Sequence, residues 1–221
     1  MIWVYYADTS SLNDDARYQS IYTALSAHRR EKADRLRLRN DKNLCIGTGF
    51  LLNKGLQAFG LSESEREYGE NRNGKPFFPD LPDLHFNLSH SGTIAMAALS
   101  DHEIGCDIER IRKIELAVAK RFFASREYEN LQEQPSVEAQ MNLFFRLWTL
   151  KESYLKATGY GLAYPMHDFE ICFTDNGVAP VQGPDDKQYY FREIPSFDGY
   201  QSALCSAEEE PQVSSSILTI A

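Results

Sequence analysis

The chain lacks any paired-cysteine pattern. Its four cysteines, Cys45, Cys106, Cys172 and Cys205, are scattered without a CxxC. That spacing argues against zinc ribbons and redox dithiols, and three of the four lie in apolar patterns. They read as reduced core residues of a cytoplasmic protein. Long hydrophobic runs are missing too; none approaches the roughly 20 residues of a membrane helix. The opening Met1-Ile2-Trp3-Val4-Tyr5-Tyr6-Ala7-Asp8 has no basic n-region and no clean h-region, so it does not read as a signal peptide. Positive charge is scarce: 23 Lys and Arg face 32 Asp and Glu, a net charge of -9. This balance argues against general binding to nucleic acid or anionic membranes. No GxSxG elbow exists for a nucleophilic serine. The expectation is a soluble, cytoplasmic monomer.

What is present suffices for one large domain or two small ones: 221 residues, 43% of them hydrophobic. The acidic balance is uneven. Arg29, Arg30, Lys32, Arg35, Arg37, Arg39 and Lys42 cluster against only Glu31, Asp34 and Asp41. A local basic patch on an acidic protein suggests a small anionic ligand, with a solvated helix face as the plain alternative.

The periodicity predicts a strand over 2–7, helices over 13–39 and 41–59, and a loop over 62–83. Strands follow at 85–89, 93–99 and 104–109. Helices at 114–133 and 137–158 come next, the second stopped by Gly159. Strands at 168–173, 188–194 and 200–206 close the pattern, with Asp175-Asn176-Gly177 as a turn. Helix, helix, three strands occurs twice. The fold class is therefore α+β, in two pseudo-symmetric halves, 1–110 and 111–221. The tail from Glu208-Glu209-Glu210-Pro211 onward is polar at first and reads as loosely held.

Chemistry-bearing residues gather in four places. In Ile104-Gly105-Cys106-Asp107-Ile108-Glu109 the alternation puts Asp107 and Glu109 on one strand face. Two such carboxylates are candidate ligands for a hard ion such as Mg²⁺. On the helix 137–158, Phe144, Trp148 and Leu155 form an apolar stripe, with Glu152 beside it and Lys156 one turn on. Taken alone, Glu152 and Lys156 are also an ordinary surface pair at i,i+4. With Lys151 they make three carboxylates and two lysines, a set suited to phosphate handled through a metal. His85-Phe86-Asn87-Leu88-Ser89-His90-Ser91-Gly92 ends in a turn offering backbone N–H groups, hydroxyls and an imidazole to an oxyanion, or simply ends a strand. Asn73-Gly74-Lys75-Pro76-Phe77-Phe78 places one lysine in a stiff turn beside aromatics that could stack a base.

Five motifs occur in order: Gly74-Lys75-Pro76, Phe86-Asn87-Leu88-Ser89-His90-Ser91, Ile104 to Glu109, Lys120-Arg121-Phe122-Phe123, and Trp148-Thr149-Leu150-Lys151-Glu152-Ser153-Tyr154-Leu155-Lys156. Together they resemble the signature of 4'-phosphopantetheinyl transferases, of the larger surfactin-synthetase-activating type. The resemblance covers residues 74–161 and extends loosely to both ends. It implies two similar α+β halves with the active site at their seam. It implies holo-[acyl-carrier-protein] synthase activity, the transfer of phosphopantetheine from coenzyme A to a serine of an acyl or peptidyl carrier protein, releasing 3',5'-ADP. By the same resemblance Asp107, Glu109 and Glu152 would hold Mg²⁺. Lys156, Ser89, His90 and Lys151 would meet the pyrophosphate. Gly74, Lys75 and Pro76 would frame the adenine, and Arg29 and Lys32 the 3'-phosphate. Where the family often has a basic or hydroxyl residue this chain has Asn43 and Leu44, so Asn43 or Lys42 would substitute. Glu152, directly or through a metal-bound water, would be the base for the carrier serine. Arg110 to Ile114, Leu116 and Phe122-Phe123, at least one of the pair being core, offer a basic and apolar docking surface. The carboxylates alone also allow a phosphohydrolase or a non-catalytic coenzyme A-binding module.

Overall fold

The computed structural model describes residues 1–195, 197–209 and 211–220, with Leu162 described in its backbone only; Glu210 of the acidic tail lies outside them. The chain opens with strand β1 (Ile2–Asp8), helices α1 (Asp15–Ala24), α2 (Ala27–Asp34) and α3 (Arg39–Gln57), and strands β2 (Gly69–Glu70), β3 (Pro76–Phe77), β4 (His85–Ser91), β5 (Ile94–Ser100) and β6 (Ile104–Arg110). Helices α4 (Leu116–Phe122), α5 (Ser125–Gln132) and α6 (Val137–Thr158) follow. The last strands are β7 (Phe173–Thr174), β8 (Gly177–Val178), β9 (Val181–Gln182), β10 (Gln188–Glu193), β11 (Tyr200–Ser206) and β12 (Val213–Ile217). Sheets and helices segregate, so the fold is α+β.

The chain divides into two compact units. The first comprises Met1–Asn71, Pro76–His102 and Pro211 onward; the second comprises Arg72–Lys75 and Glu103–Glu210. The division thus falls before β6, not after residue 110 as the repeated pattern suggests.

In the first unit the strand order is β12-β1-β5-β4, with β12 parallel to β1 and the other pairs antiparallel. The tail is therefore tied into a sheet by β12, contrary to the loose end its polarity implied. Strand β5 is buried along its whole length, and α3 packs on it through Ile46, Leu51, Leu52 and Leu56. The single helix expected over 13–39 is broken by its own capping residues. Asp14 accepts from Arg17 N at 2.8 Å and starts α1, and Ser26 accepts from Arg29 N at 3.2 Å and starts α2.

In the second unit the order is β6-β11-β10-β9, all antiparallel. The third strand of the first predicted trio thus leaves its sequence neighbours β4 and β5 and pairs with β11. The strand expected at 168–173 is mostly irregular: the 3-10 turn Met166–Asp168 ends at its first residue, and 169–172 form neither helix nor strand. Only Phe173–Thr174 pairs, across the Asp175-Asn176-Gly177 turn. Helix α6 spans the residues its apolar stripe predicts. Ser136 caps its start, accepting from Ala139 N at 3.1 Å, and Gly159 ends it at φ 70°. Phe144, Phe145, Leu150 and Tyr154 of α6 form a core with Tyr189 and Phe191 of β10.

Helix α6 and strand β6 approach each other closely at Gly105. A Cβ there would lie 2.0 Å from Ser153 O and 2.3 Å from Ala157 N, both backbone atoms that cannot swing aside. We expect Gly105→Ala to cost at least about 3 kcal/mol, because overpacking here must push helix from sheet. A urea midpoint unchanged from the parent protein would refute this reading of the contact.

Candidate functional site

Gly105, Asp107 and Glu109 share one face of β6 by strand alternation. Because Gly105 abuts α6, that face is the one the helix covers. Lys156 confirms it: its Nζ donates to Asp107 Oδ1 at 2.6 Å and to Cys106 O at 3.2 Å. The lysine reaches across to the strand, so the bland i,i+4 reading of Glu152 and Lys156 is not its main use.

Asp107 is buried, Glu109 and Glu152 are half-buried, and Arg112 Nη1 donates to Glu109 Oε2 at 3.1 Å. Burial pushes the Glu152 carboxyl up, Lys156 opposes this, and the charges of Asp107 and Glu109 push it up further. Lys156 is raised: its burial alone would lower it, but the carboxylate of Asp107 outweighs that. The result is a protonated amine among three mutually repelling carboxylates. Among the described residues these three do not offer ligand atoms all within 4.8 Å of one another. Ammonium and guanidinium groups hold two of them. The donor set is nonetheless all hard oxygen, and its repulsion is what a divalent cation relieves, so the residues fit Mg²⁺.

Lys151 is different. Its side chain is fully buried, and Nζ contacts Met166 O at 2.8 Å, Phe169 O at 2.6 Å and Glu127 Oε2 at 2.9 Å. The expectation that it meets a phosphate is overturned; its donors are spent inside the unit. Glu127 was not singled out in the sequence. It also accepts from Ala124 N and Ile171 N, both at 2.8 Å. A glutamate at the third position of α5 was the only local signal for it.

Lys75 also turns inward in this unit. Its Nζ donates to Ala157 O at 2.8 Å and Ile104 O at 3.0 Å. Burial pushes the amine down to about 8, against the pull of Glu103. Gly74 sits at φ 84° in the exposed turn beside it.

In the first unit, Ser89 is buried and His90 exposed on β4, and Pro76 begins β3. Lys32 is exposed on α2. Arg29 is not available to a phosphate. Its side chain is 4% exposed and crosses Gly49, and its Nε lies 3.4 Å from Glu63 Oε1. Tyr68 completes this network, donating to Glu63 and accepting from Arg29 Nη2 at 3.4 Å. Asn43 is likewise committed, accepting from Arg39 Nε at 3.1 Å and donating to Asn13 Oδ1 at 2.9 Å. Both corrections have one cause: basic and amide groups facing a core take internal partners first. Of the cysteines, Cys45, Cys106 and Cys205 are buried and Cys172 is exposed. Phe123 is core, and Phe122 lies half-buried against Trp148 at 5.6 Å between ring centroids.

Residues 103–205 match the sequence model of the 4'-phosphopantetheinyl transferase superfamily. A 4'-phosphopantetheinyl transferase of Bacillus subtilis is 35% identical over 189 residues, 85% of this chain and 84% of that protein. The chain belongs to this family. The 4'-phosphopantetheinyl transferase Sfp of Bacillus subtilis strain 168 is 33% identical over 202 residues, covering 90% of this chain and 88% of its own. The psf-1 transferase of Bacillus pumilus is 34% identical over 197 residues, covering 88% and 84%. The protein is thus an enzyme, a 4'-phosphopantetheinyl transferase. Among the described residues no helix is long and apolar enough to cross a membrane.

The buried pair gives a stability test within this transferase. Lys151→Met strands the Glu127 charge and should cost about 3–5 kcal/mol. Adding Glu127→Gln removes that charge and should restore a good part of the loss. Guanidinium unfolding of the parent and the two variants measures both; a single mutant as stable as the parent would contradict the pairing.

Proposed function

We propose that this transferase moves 4'-phosphopantetheine from coenzyme A to a serine hydroxyl of an apo acyl or peptidyl carrier protein. The serine oxygen bonds to the phosphorus bearing pantetheine, the pyrophosphate bond breaks, and 3',5'-ADP leaves. The observation that carries this reading is Lys156 set among Asp107, Glu109 and Glu152 on the facing surfaces of α6 and β6.

Asp107, Glu109 and Glu152 would hold Mg²⁺, which when bound neutralises charge on the pyrophosphate as a Lewis acid. Lys156, kept protonated, donates to the same phosphates. Glu152, its affinity for protons raised by burial, takes the proton from the carrier serine. Ser89 and His90 contribute a hydroxyl and an imidazole to the pyrophosphate. Lys32, with Lys42 as a further candidate, serves the 3'-phosphate in place of Arg29 and Asn43. Gly74, Pro76 and the backbone of Lys75 frame the adenine. The nucleophile belongs to the partner, which fits the absence of a serine elbow in this chain.

Carrier proteins are usually acidic, and so is this enzyme, so docking needs a local patch. Exposed Arg112, Lys113, Lys120 and Arg121 around Val118 and half-buried Leu116 supply one. We read the enzyme as cytoplasmic, from its three buried thiols, Cys45, Cys106 and Cys205, and as a monomer.

The test is to incubate enzyme, coenzyme A and Mg²⁺ with a panel of apo carriers and weigh the carriers. One phosphopantetheine mass should be gained; no gain on any carrier would sink the reading. Glu109→Ala should lower kcat/KM at least about a hundredfold, and chelation of Mg²⁺ should abolish transfer. Full activity of Glu109→Ala would remove that residue from the metal site, and full activity after chelation would remove the metal from the scheme.

A further inference from the structure

We propose that Lys75 is a positioning residue for the transfer reaction, its ammonium clamping the last turn of α6 to the start of β6 so that Lys156 stays on Asp107. This rests on the reaction proposed above.

The constraint on these two elements lies at Gly105. There α6 and β6 touch backbone to backbone, with Ser153 O and Ala157 N within 2.3 Å of where a Cβ would stand. No side chain fits between them to hold the two elements together. The carbonyls flanking the contact are Ile104 O on the strand and Ala157 O on the helix. Lys75 Nζ donates to both, at 3.0 and 2.8 Å. An ammonium has three donors and no acceptor, so one group can bridge two carbonyls that cannot bond each other.

The neighbours of Lys75 act on the same turn. Asn73 Nδ2 donates to Gly159 O at 2.9 Å, and the Arg72 guanidinium lies 5.5 Å from the Tyr160 ring centroid. Residues 72–75 cluster with the second unit although the chain on both sides clusters with the first. A helix C-terminus leaves four carbonyls without helical partners, and cations are favoured there. The turn so capped carries Lys156, and β6 immediately beyond Ile104 carries Cys106 and Asp107, the two residues Lys156 contacts. If the clamp opens, the lysine and the carboxylate shift relative to each other. Lys75 thus acts on catalysis through Lys156, without its ammonium touching the phosphates.

The test compares Lys75→Met, which keeps the aliphatic stem and removes the donors, with Lys75→Arg. For Lys75→Met we expect kcat to fall about tenfold or more while KM for coenzyme A stays within about twofold. Lys75→Arg should recover part of kcat. A rise in KM with kcat unchanged would make Lys75 a phosphate ligand and overturn the proposal. So would a lowered melting temperature with both constants unchanged. Hydrogen exchange of the 155–160 amides should quicken at least about tenfold in Lys75→Met while the β10 and β11 amides hold. Unchanged exchange at 155–160 refutes the clamp. That readout does not depend on turnover, so a protein that transfers nothing can still show or refute the clamp. Should Lys75→Met not fold, Asn73→Ala removes the adjoining donor alone. It should lower kcat less, also without a change in KM, and an unchanged kcat there counts against the proposal.

Discussion

The backbone contact between β6 and α6 at Gly105 is the constraint on which the second unit depends. It fixes the depth of the helix on the strand, because neither side has a flexible atom to yield. Two residues along the strand stands Asp107, and four along stands Glu109. On the helix, Ser153 and Ala157 bracket the contact, so Glu152 and Lys156 fall just beside it. A two-residue strand period and a 3.6-residue helix period meeting at one close point thus bring three carboxylates and an amine to one place. Larger side chains at 105 would separate the layers and with them the charges.

Charge burial is selective in this protein, and the selection separates support from chemistry. Arg29–Glu63 and Lys151–Glu127 are both almost fully buried, with side-chain exposures of 4%/1% and 0%/2%. Such pairs overcome the cost of leaving water only when further hydrogen bonds saturate them. Glu127 meets that condition with two backbone N–H groups, and Lys151 with two carbonyls. Lys156–Asp107 is not closed in this way: the lysine keeps 27% exposure. An ammonium still in reach of solvent can exchange a carboxylate for a phosphate, whereas Lys151 cannot without stranding a charge.

Much of this was legible in the sequence, because the legible parts are local. The α6 stripe, its stop at Gly159, the β4–β5 hairpin and the shared face of Asp107 and Glu109 follow from periods and turn residues. What failed was non-local. Nothing within β6 says that it will pair with β11, ninety-odd positions later by the register Ile108 to Ser202, when β5 lies next to it in sequence. Lys151 and Lys156 are equally basic in the string, and only a glutamate on another helix decides which one is interior. The break at Ser26 shows only in the cap geometry, its hydroxyl accepting from Arg29 N, inside a run that otherwise reads as helix.

The basic cluster of residues 29–42 shows how charge counting misleads at a binding surface. Seven cations stand there in sequence, yet the fold disposes of several. Arg29 goes to Glu63, Arg39 pairs with Asp15 at 2.9 Å, and Arg35 lies 3.8 Å from Glu31. The last two pairs are exposed and contribute little to stability, but they lower the field an incoming anion meets. Arg29 turns inward because Gly49 leaves room for its stem on α3. Lys32, three positions on, lands on the exposed side of the same short helix. Arg30 donates to Thr23 O at 3.2 Å, so the candidates that a run of seven cations suggests contract to Lys32, Arg37 and Lys42. Arg29 is instead held in the buried network with Glu63 and Tyr68.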